Sequence, residues 1–349
     1  MGIGVFDFFS GCGGTSKGFQ NSGLNPVFAL DFDSDAALTF QDNFQDTVFS
    51  NNDITKFNPS EIEHLIAGQQ LTLFSGCAPC QPFTRQNTIK PDHKTDTRRS
   101  LLTHFGNLVE RFLPDYIFVE NVPGIQTVTG NSTLTRFYKR LEILGYSSAV
   151  GIVASQKYGV PQRRRRLVLL ASKHGEIDLP PATHDPAHGT SFSTVRDWIS
   201  HLPPIVAGEI HPDVPNHRSA KLSELNLRRI KATPPEGSRA DWPSDLHLDC
   251  HTKNGYSGHT DVYGRMKWNG PATGLTTRCI SLSNGRYGHP EQHRAISVRE
   301  AAALQTFPDD FKFFGSLNSQ AKQIGNAVPV LLAEVFGNHV LNHAKRKIG

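Results

Sequence analysis

Cysteine is scarce in this chain: five in 349 residues, at positions 12, 77, 80, 250 and 279. So small an odd number argues against a disulfide framework. Cys77 and Cys80 make one Cys-x-x-Cys pair, and no second pair completes a tetrahedral zinc site. Cys250-His251 offers further donors, but adjacent residues in an irregular stretch match no common ligand spacing, so no metal is expected. Pro82 follows Cys80 closely and no thioredoxin-like unit surrounds the pair, which speaks against a redox dithiol. Long apolar runs are missing too. "RLVLLAS" and "DYIFVEN" are too short to cross a bilayer, so no membrane partner is expected. The start "MGIGVFDFFSG" lacks the charged head and apolar stretch of a signal peptide. Phe6 also stands where a myristoylation signal needs Ser or Thr. A cytoplasmic protein is the expectation. With 37% hydrophobic and 19% charged residues, global disorder is excluded. The net charge of +4 permits a polyanionic partner.

What is present is an alternation. Over the first 170 or so residues, β-rich runs ("IGVFDFF", "PVFALDF", "LTLFSG", "YIFVEN", "SAVGIVAS", "RRLVLLAS") alternate with helix-like stretches such as "SDAALTFQDNF" and "SLLTHFGNLVERF". That pattern predicts a mostly parallel sheet covered on both faces. Polar signals cluster at the predicted strand ends: "DFFSGCGG" after the first, Asp31 after the second, "SGCAPC" after another, Glu120-Asn121 after "YIFV". Ligands of open α/β sheets bind outside the carboxyl ends of the strands, so these four ends converge on one crevice. The Gly-rich turn lets the backbone approach a ligand at a helix N-terminus. It departs from the dinucleotide fingerprint at Ser16, which holds the third glycine position. Asp31 suits a ribose or a helix cap, Phe32 an adenine or the core, and Asp53 and Ile54 of "NDIT" an adenine or a cap. Together they predict an adenosine-containing cofactor, either nicotinamide-based or S-adenosylmethionine.

Six motifs then occur in order: "DFFSGCGG", "GCAPCQPF", "ENV", "QRRRRL", "REAAALQTFP" and "QIGNAVP". This ordered set resembles that of the bacterial-type DNA cytosine-5 methyltransferases, across nearly the whole chain. The resemblance implies a Rossmann-like α/β S-adenosylmethionine-dependent methyltransferase fold with a second, smaller irregular target-recognition domain. It implies S-adenosylmethionine as cofactor and a flipped cytosine in double-stranded DNA as substrate. By the same matching Cys80 is the nucleophile and Cys77 a small packing residue. Thiolate attack at C6 makes the poorly nucleophilic C5 enamine-like, and thiolates are intrinsically strong nucleophiles. Glu120 corresponds to the carboxyl group that binds N3 and the exocyclic amine. Arg166 corresponds to the contact with the cytosine carbonyl, and Arg164 to a residue positioning the nucleophile loop. Arg163 and Arg165, on the other face of a strand, are read as solvated or phosphate-facing. Phe9, Ser10, Gly11, Cys12, Gly13 and Gly14 would line the cofactor. Asp31 would take the ribose, and Phe32, Asp53 and Ile54 the adenine, with Leu101 and Asn326 completing the pocket. The polar loop 81–99 would close over DNA, with Gln86 filling the vacated space or remaining solvated. Thr276 and Thr277 of "TGLTTRC" resemble a Thr-rich element that guides the target base.

From about residue 172 the texture turns rich in Pro, His and turn formers, and from "ISVREAAALQTFP" it becomes helical again. The expected division is 1–171 plus 297–349 for catalysis and cofactor, and 172–296 for target recognition. A monomer is expected, in a restriction–modification system with a separately acting cognate endonuclease or as a solitary enzyme. Three rival readings exist. The tRNA-methylating branch shares a stretch like "PCQPFTR", but its Cys-Phe-Thr signature is missing and "LTTRCISLSNGRYGHP" resembles the DNA enzymes. A silent DNA-binding regulator would have lost Cys80 or the glycines. A nicotinamide oxidoreductase has no use for Pro79-Cys80-Gln81 with Glu120.

Overall fold

The computed structural model describes residues 2–78, 101–123, 133–249 and 261–349. Contacts group the chain into two compact units: Met1–Tyr158 with Arg165–Thr183 and Val328–Gly349, and Gly159–Arg164 with His184–Ala327.

The first unit is built on a seven-stranded sheet. Its strands are β1 (Ile3–Phe8), β2 (Asn25–Leu30), β3 (Val48–Ser50), β4 (Leu71–Gly76), β5 (Tyr116–Asn121), β6 (Ser147–Ala154) and β8 (Arg165–Ser172); the two-residue β7 (Gln162–Arg163) belongs to the second unit. The spatial order is β3-β2-β1-β4-β5-β8-β6. Strands β1 to β5 pair in parallel, and β8 runs antiparallel between β5 and β6. β1, β4 and β5 are buried at every position, as interior parallel strands require. The order reverses between β1 and β4, a topological switch point, so the turns leaving those two strands open onto a crevice. The short edge strand β3 carries no alternation or apolar run that sequence reading could detect.

Phenylalanines fill the core under the crevice. The Phe8 ring lies 5.2 Å from Phe74, 5.8 Å from Phe28 and 5.8 Å from Phe105, all in tilted or edge contacts. Helix α1 (Gly14–Asn21) packs on the C-terminal helix Val330–Lys347, so the apolar end of the chain returns to the first unit. Gly18 permits this approach: a Cβ there would lie 2.3 Å from the Val330 carbonyl oxygen and 2.5 Å from the Ala333 Cβ. Gly18→Ala gains about 1 kcal/mol of helix propensity. Overpacking against backbone costs about 3 kcal/mol. The expected result is a net loss near ~2 kcal/mol, read as a lower urea midpoint at unchanged slope. One helical stretch, Leu317–Lys347, reaches the length and mean hydropathy (1.3) of a membrane span, which the strand-length runs did not anticipate; 56% of that window is buried inside the protein.

The second unit has little regular structure among its described residues: helices Val195–Ile199, Glu224–Ala232, Val298–Leu304 and Leu317–Asn326, and a ribbon of β7 with β9 (Ala272–Thr273). Irregular backbone leaves carbonyls that burial forbids to stay unpaired. Buried arginines satisfy them. Arg265 donates to the carbonyls of Ile230, Thr233, His289 and Gln292. Arg299 donates to those of Pro215, Pro308 and Phe311. Arg294 forms a buried fork with Glu300 at 2.6 and 2.7 Å, and Glu300 completes a capping box with Ser297. Residues 297–327, expected with the first domain, cluster with this unit. The reason is this tethering: Arg299 holds Pro215, and Asn216 bonds the Phe313 carbonyl at 2.8 Å.

Candidate active site at the carboxyl ends of the strands

β1 leaves the sheet through a strained turn. Phe9 has φ +66, Gly11 φ +52 and Gly13 φ +95, a region that costs a side-chain-bearing residue energy. At Gly13 glycine is a steric need, since a Cβ would lie 2.5 Å from the Phe44 ring. At Gly11 nothing lies within 4 Å of where a Cβ would be, so this stretch of backbone faces open space. Its N–H donates to Asp31 Oδ2 at 2.8 Å, and Asp33 N–H donates to Asp31 Oδ1 at 2.9 Å. Two backbone donors thus orient the Asp31 carboxylate beside the open glycine. Asn51 supports it by donating to the Asp31 carbonyl at 2.9 Å. Sequence reading passed over Asn51, because a polar residue in a loop carries no periodic signal.

Phe32 is 65% exposed, an apolar ring held in solvent next to that carboxylate. Asp53 is exposed and accepts from Thr55 N–H at 2.9 Å. Ile54 and Cys12 are buried, and the Ser10 hydroxyl is turned inward to the Leu30 carbonyl at 3.4 Å. Gly14 opens α1, and Leu101 opens helix α2 (Leu101–Phe112), half-buried against the core. Asn326 ends the helix Leu317–Asn326 in the second unit.

Beneath the turn lies a feature the sequence reading missed. Asp7 is buried within β1, and Ser16 donates to its Oδ2 at 2.7 Å. That bond accounts for serine at the third glycine position. Asp7 Oδ1 has no hydrogen-bond partner. Burial pushes the Asp7 carboxyl up from 3.8 to about 7, only partly countered by Ser16 and Ser75. A carboxyl raised on folding favours the native state below its unfolded pKa and loses that contribution as pH rises through about 7. Asp7→Asn keeps an acceptor for Ser16 and cannot ionise. Its melting temperature is expected to match or trail wild type near pH 4, and to gain steadily up to pH 8. The change across that span is about 4 kcal/mol. Thermal melts across the range test it; a pH-independent difference would exclude the ionisation cost.

β4 ends at Gly76, where a Cβ would lie 2.6 Å from the Phe105 ring. Cys80 and Gln86, with the rest of the loop 81–99, lie outside the described residues. The backbone leading to Cys80 is anchored: Asn121 Nδ2 donates to the Ala78 carbonyl at 3.2 Å, and Asn121 Oδ1 accepts from Val122 N–H at 2.7 Å. Asn121 therefore ties the end of β5 to the chain two residues before Cys80. Burial, then the negative charges of Glu120 and Asp7, push the Cys77 thiol far up. Burial likewise takes Cys12 and Cys279 to about 12. The described thiols are poor nucleophiles for that reason.

Glu120 sits buried at the end of β5, facing Arg166 at the start of β8. Arg166 Nε lies 2.7 Å from Glu120 Oε1, with 16% and 10% side-chain exposure respectively. This is an ion-pair distance, so the guanidinium charge faces the carboxylate directly. Arg164 goes elsewhere: it is buried and donates to the carbonyls of Leu275 (2.8 Å), Gly325 (3.0 Å) and Ala327 (3.3 Å), all in the second unit. Arg163 and Arg165 are exposed, as their alternation requires. Thr276 is half-buried with Oγ1 3.4 Å from the Tyr287 hydroxyl, and Thr277 is exposed.

Similarity to other proteins covers the same span as these features. The sequence model of C-5 cytosine-specific DNA methylases matches residues 3–342. The type II methylase M.HgiDII of Herpetosiphon aurantiacus is 39% identical over 340 residues, covering 96% of this chain and 94% of its own. The type II methyltransferase M1.HphI of Haemophilus parahaemolyticus is 32% identical, covering 98% and 87%. A crystal structure from E. coli, described as a prophage-encoded DNA modification methyltransferase, superposes with a TM-score of 0.76 at 22% identity. It covers 97% of this chain and 99% of that one, which speaks to the fold alone. A family match this long and relatives this similar lead to one conclusion: the chain belongs to the C-5 cytosine-specific DNA methylase family and is a DNA cytosine-5 methyltransferase.

Proposed function

We propose that the chain methylates a cytosine extruded from a specific duplex sequence, with S-adenosylmethionine as cofactor and Cys80 as a transient covalent partner of the ring. The observation that carries the assignment of roles is the buried Glu120–Arg166 ion pair at the strand ends. A cytosine edge offers what this pair needs. Its N3 and exocyclic amine complement the carboxyl group, and its carbonyl oxygen complements the guanidinium.

The thiolate of Cys80 gives its electron pair to C6, and the C5–C6 π pair moves toward C5. Glu120 holds a proton at N3 and so offsets the charge growing on the ring. S-adenosylmethionine, when bound, supplies the methyl group that C5 accepts. Loss of the C5 proton to a base then lets the Cys80 thiolate depart with its electrons. The strained turn at Phe9 to Gly13, the oriented Asp31 carboxylate and the exposed Phe32 fit a cofactor with a ribose and an adenine. Asp53, Ile54, Leu101 and Asn326 are assigned to that same pocket. Arg164 acts as a positioning residue.

The second unit, with Thr276 and Thr277 on it, reads the duplex. Gln86 fills the space left by the extruded base. Extrusion costs a few kcal/mol, which phosphate and loop contacts must offset. A monomer acting in the cytoplasm, with or without a separate cognate endonuclease, completes the reading. Bisulfite sequencing of DNA from cells expressing the chain should reveal 5-methylcytosine in one sequence context. Unmodified DNA alongside methylated tRNA would overturn the assignment.

A further inference from the structure

Two glutamines of the second unit, Gln162 and Gln305, are fully buried. Gln162 Oε1 accepts from Leu275 N–H at 2.8 Å. Its Nε2 donates to Gln305 Oε1 at 2.9 Å and to the Leu304 carbonyl at 3.3 Å. Gln305 Nε2 donates in turn to the carbonyls of Ile324 (2.6 Å) and Ala327 (3.2 Å). The direction of this chain is determined at both ends. A backbone N–H can only donate and a carbonyl can only accept, so neither amide can flip without two clashes of like groups.

The chain joins two segments that are far apart in sequence. One leads into Thr276, and the other is the turn around Asn326. Their backbones touch: a Cβ on Gly325 would lie 2.2 Å from the Thr276 carbonyl oxygen. The segment carrying Thr276 has almost no regular pairing of its own beyond Ala272–Thr273. Apolar packing is non-directional and does not set the register of such a stretch. Directional bonds from a buried side chain do.

We propose that Gln162 and Gln305 form an amide relay that sets the position of Thr276 and Thr277 for DNA, as positioning residues for target engagement. This rests on the reading of those threonines as DNA contacts. Arg164 ties the same two segments in parallel, through the carbonyls of Leu275, Gly325 and Ala327, and Gln162 also reaches the Leu304 carbonyl, so the glutamines supply the part of the tether that runs to Leu275 N–H.

The test uses the full chain with Gln162→Met, Gln305→Met and the double variant, near-isosteric changes that remove the amides. Amide hydrogen exchange at Leu275 to Arg278 should speed up about 10-fold in Gln305→Met, although Gln305 bonds none of those residues. The Kd for the target duplex should rise about 10-fold in each single variant. The double variant should lose less than the sum of the two single losses, because the Gln162–Gln305 bond is removed in both. Unchanged exchange at 275–278 in Gln305→Met, or additive losses in the double variant, would overturn the relay. If a methionine variant does not fold, Gln305→Asn carries the same comparison, keeping an uncharged amide in the buried site while drawing it back from Gln162 and from the Ile324 carbonyl. A wild-type chain that bound no duplex DNA would sink the methyl-transfer reading, and the exchange measurement would still judge the relay.

Discussion

Cys80→Ser is expected to lower turnover on duplex DNA by about 10⁴-fold or more while leaving DNA and cofactor binding near wild type. The argument is one of nucleophilicity. A thiol with a pKa near ~8.5 is a few per cent thiolate at neutral pH, and thiolate sulfur is polarisable. A serine hydroxyl is essentially un-ionised there. C5 then never becomes electron-rich. Duplex DNA carrying 5-fluorocytosine at the target should give a covalent adduct with wild type, because fluorine cannot leave as a proton does. The serine variant should give none. Robust methylation by Cys80→Ser, or no adduct from a well-folded wild type, would defeat the covalent route. The inert character of Cys12, Cys77 and Cys279 means that no neighbouring described thiol is expected to rescue the variant.

Glu120→Gln is the second large effect. Glutamine can still place an oxygen near Arg166, but it cannot hold a proton for N3. The expected loss is about 10²–10⁴ in kcat, the range for a positioned proton donor. KM for DNA should change far less. The stability cost should fall below the about 3–5 kcal/mol of breaking a fully buried pair, because both side chains keep some solvent contact. If kcat held and KM rose instead, Glu120 would be binding the base without assisting its chemistry. Covalent trapping separates the cases further, since a variant slow in attack forms the fluorocytosine adduct slowly but to completion.

The residues of the site differ in how they could be found. Glu120 ends an apolar run, so both its strand and its position at a carboxyl end were readable from residue order. The same holds for Gly11 to Gly14 and for Asp31. The arginine run was readable only as an alternation. Its members diverge in space, with Arg166 on Glu120 and Arg164 on the carbonyls of Leu275, Gly325 and Ala327. Residues 297–327 carry a clear helical pattern, which says that helices form and nothing about which unit they join. Asp7 was hidden inside a strand, though a carboxylate in "IGVFDFF" was a signal available to be asked about.

Residue order alone determined the alternation of strands and helices and the gathering of glycines and carboxylates at their carboxyl ends. These follow from local rules, side-chain periodicity and glycine's conformational freedom, whereas the proposed roles of Cys80 and Glu120 come from the resemblance carried by the ordered motifs. Only the tertiary structure decided that Ser16 serves Asp7, that Glu120 pairs with Arg166, and that Gln162 and Gln305 connect Leu275 to the turn at Asn326. Burial and hydrogen-bond direction depend on what meets across long stretches of chain, and no local pattern encodes that meeting.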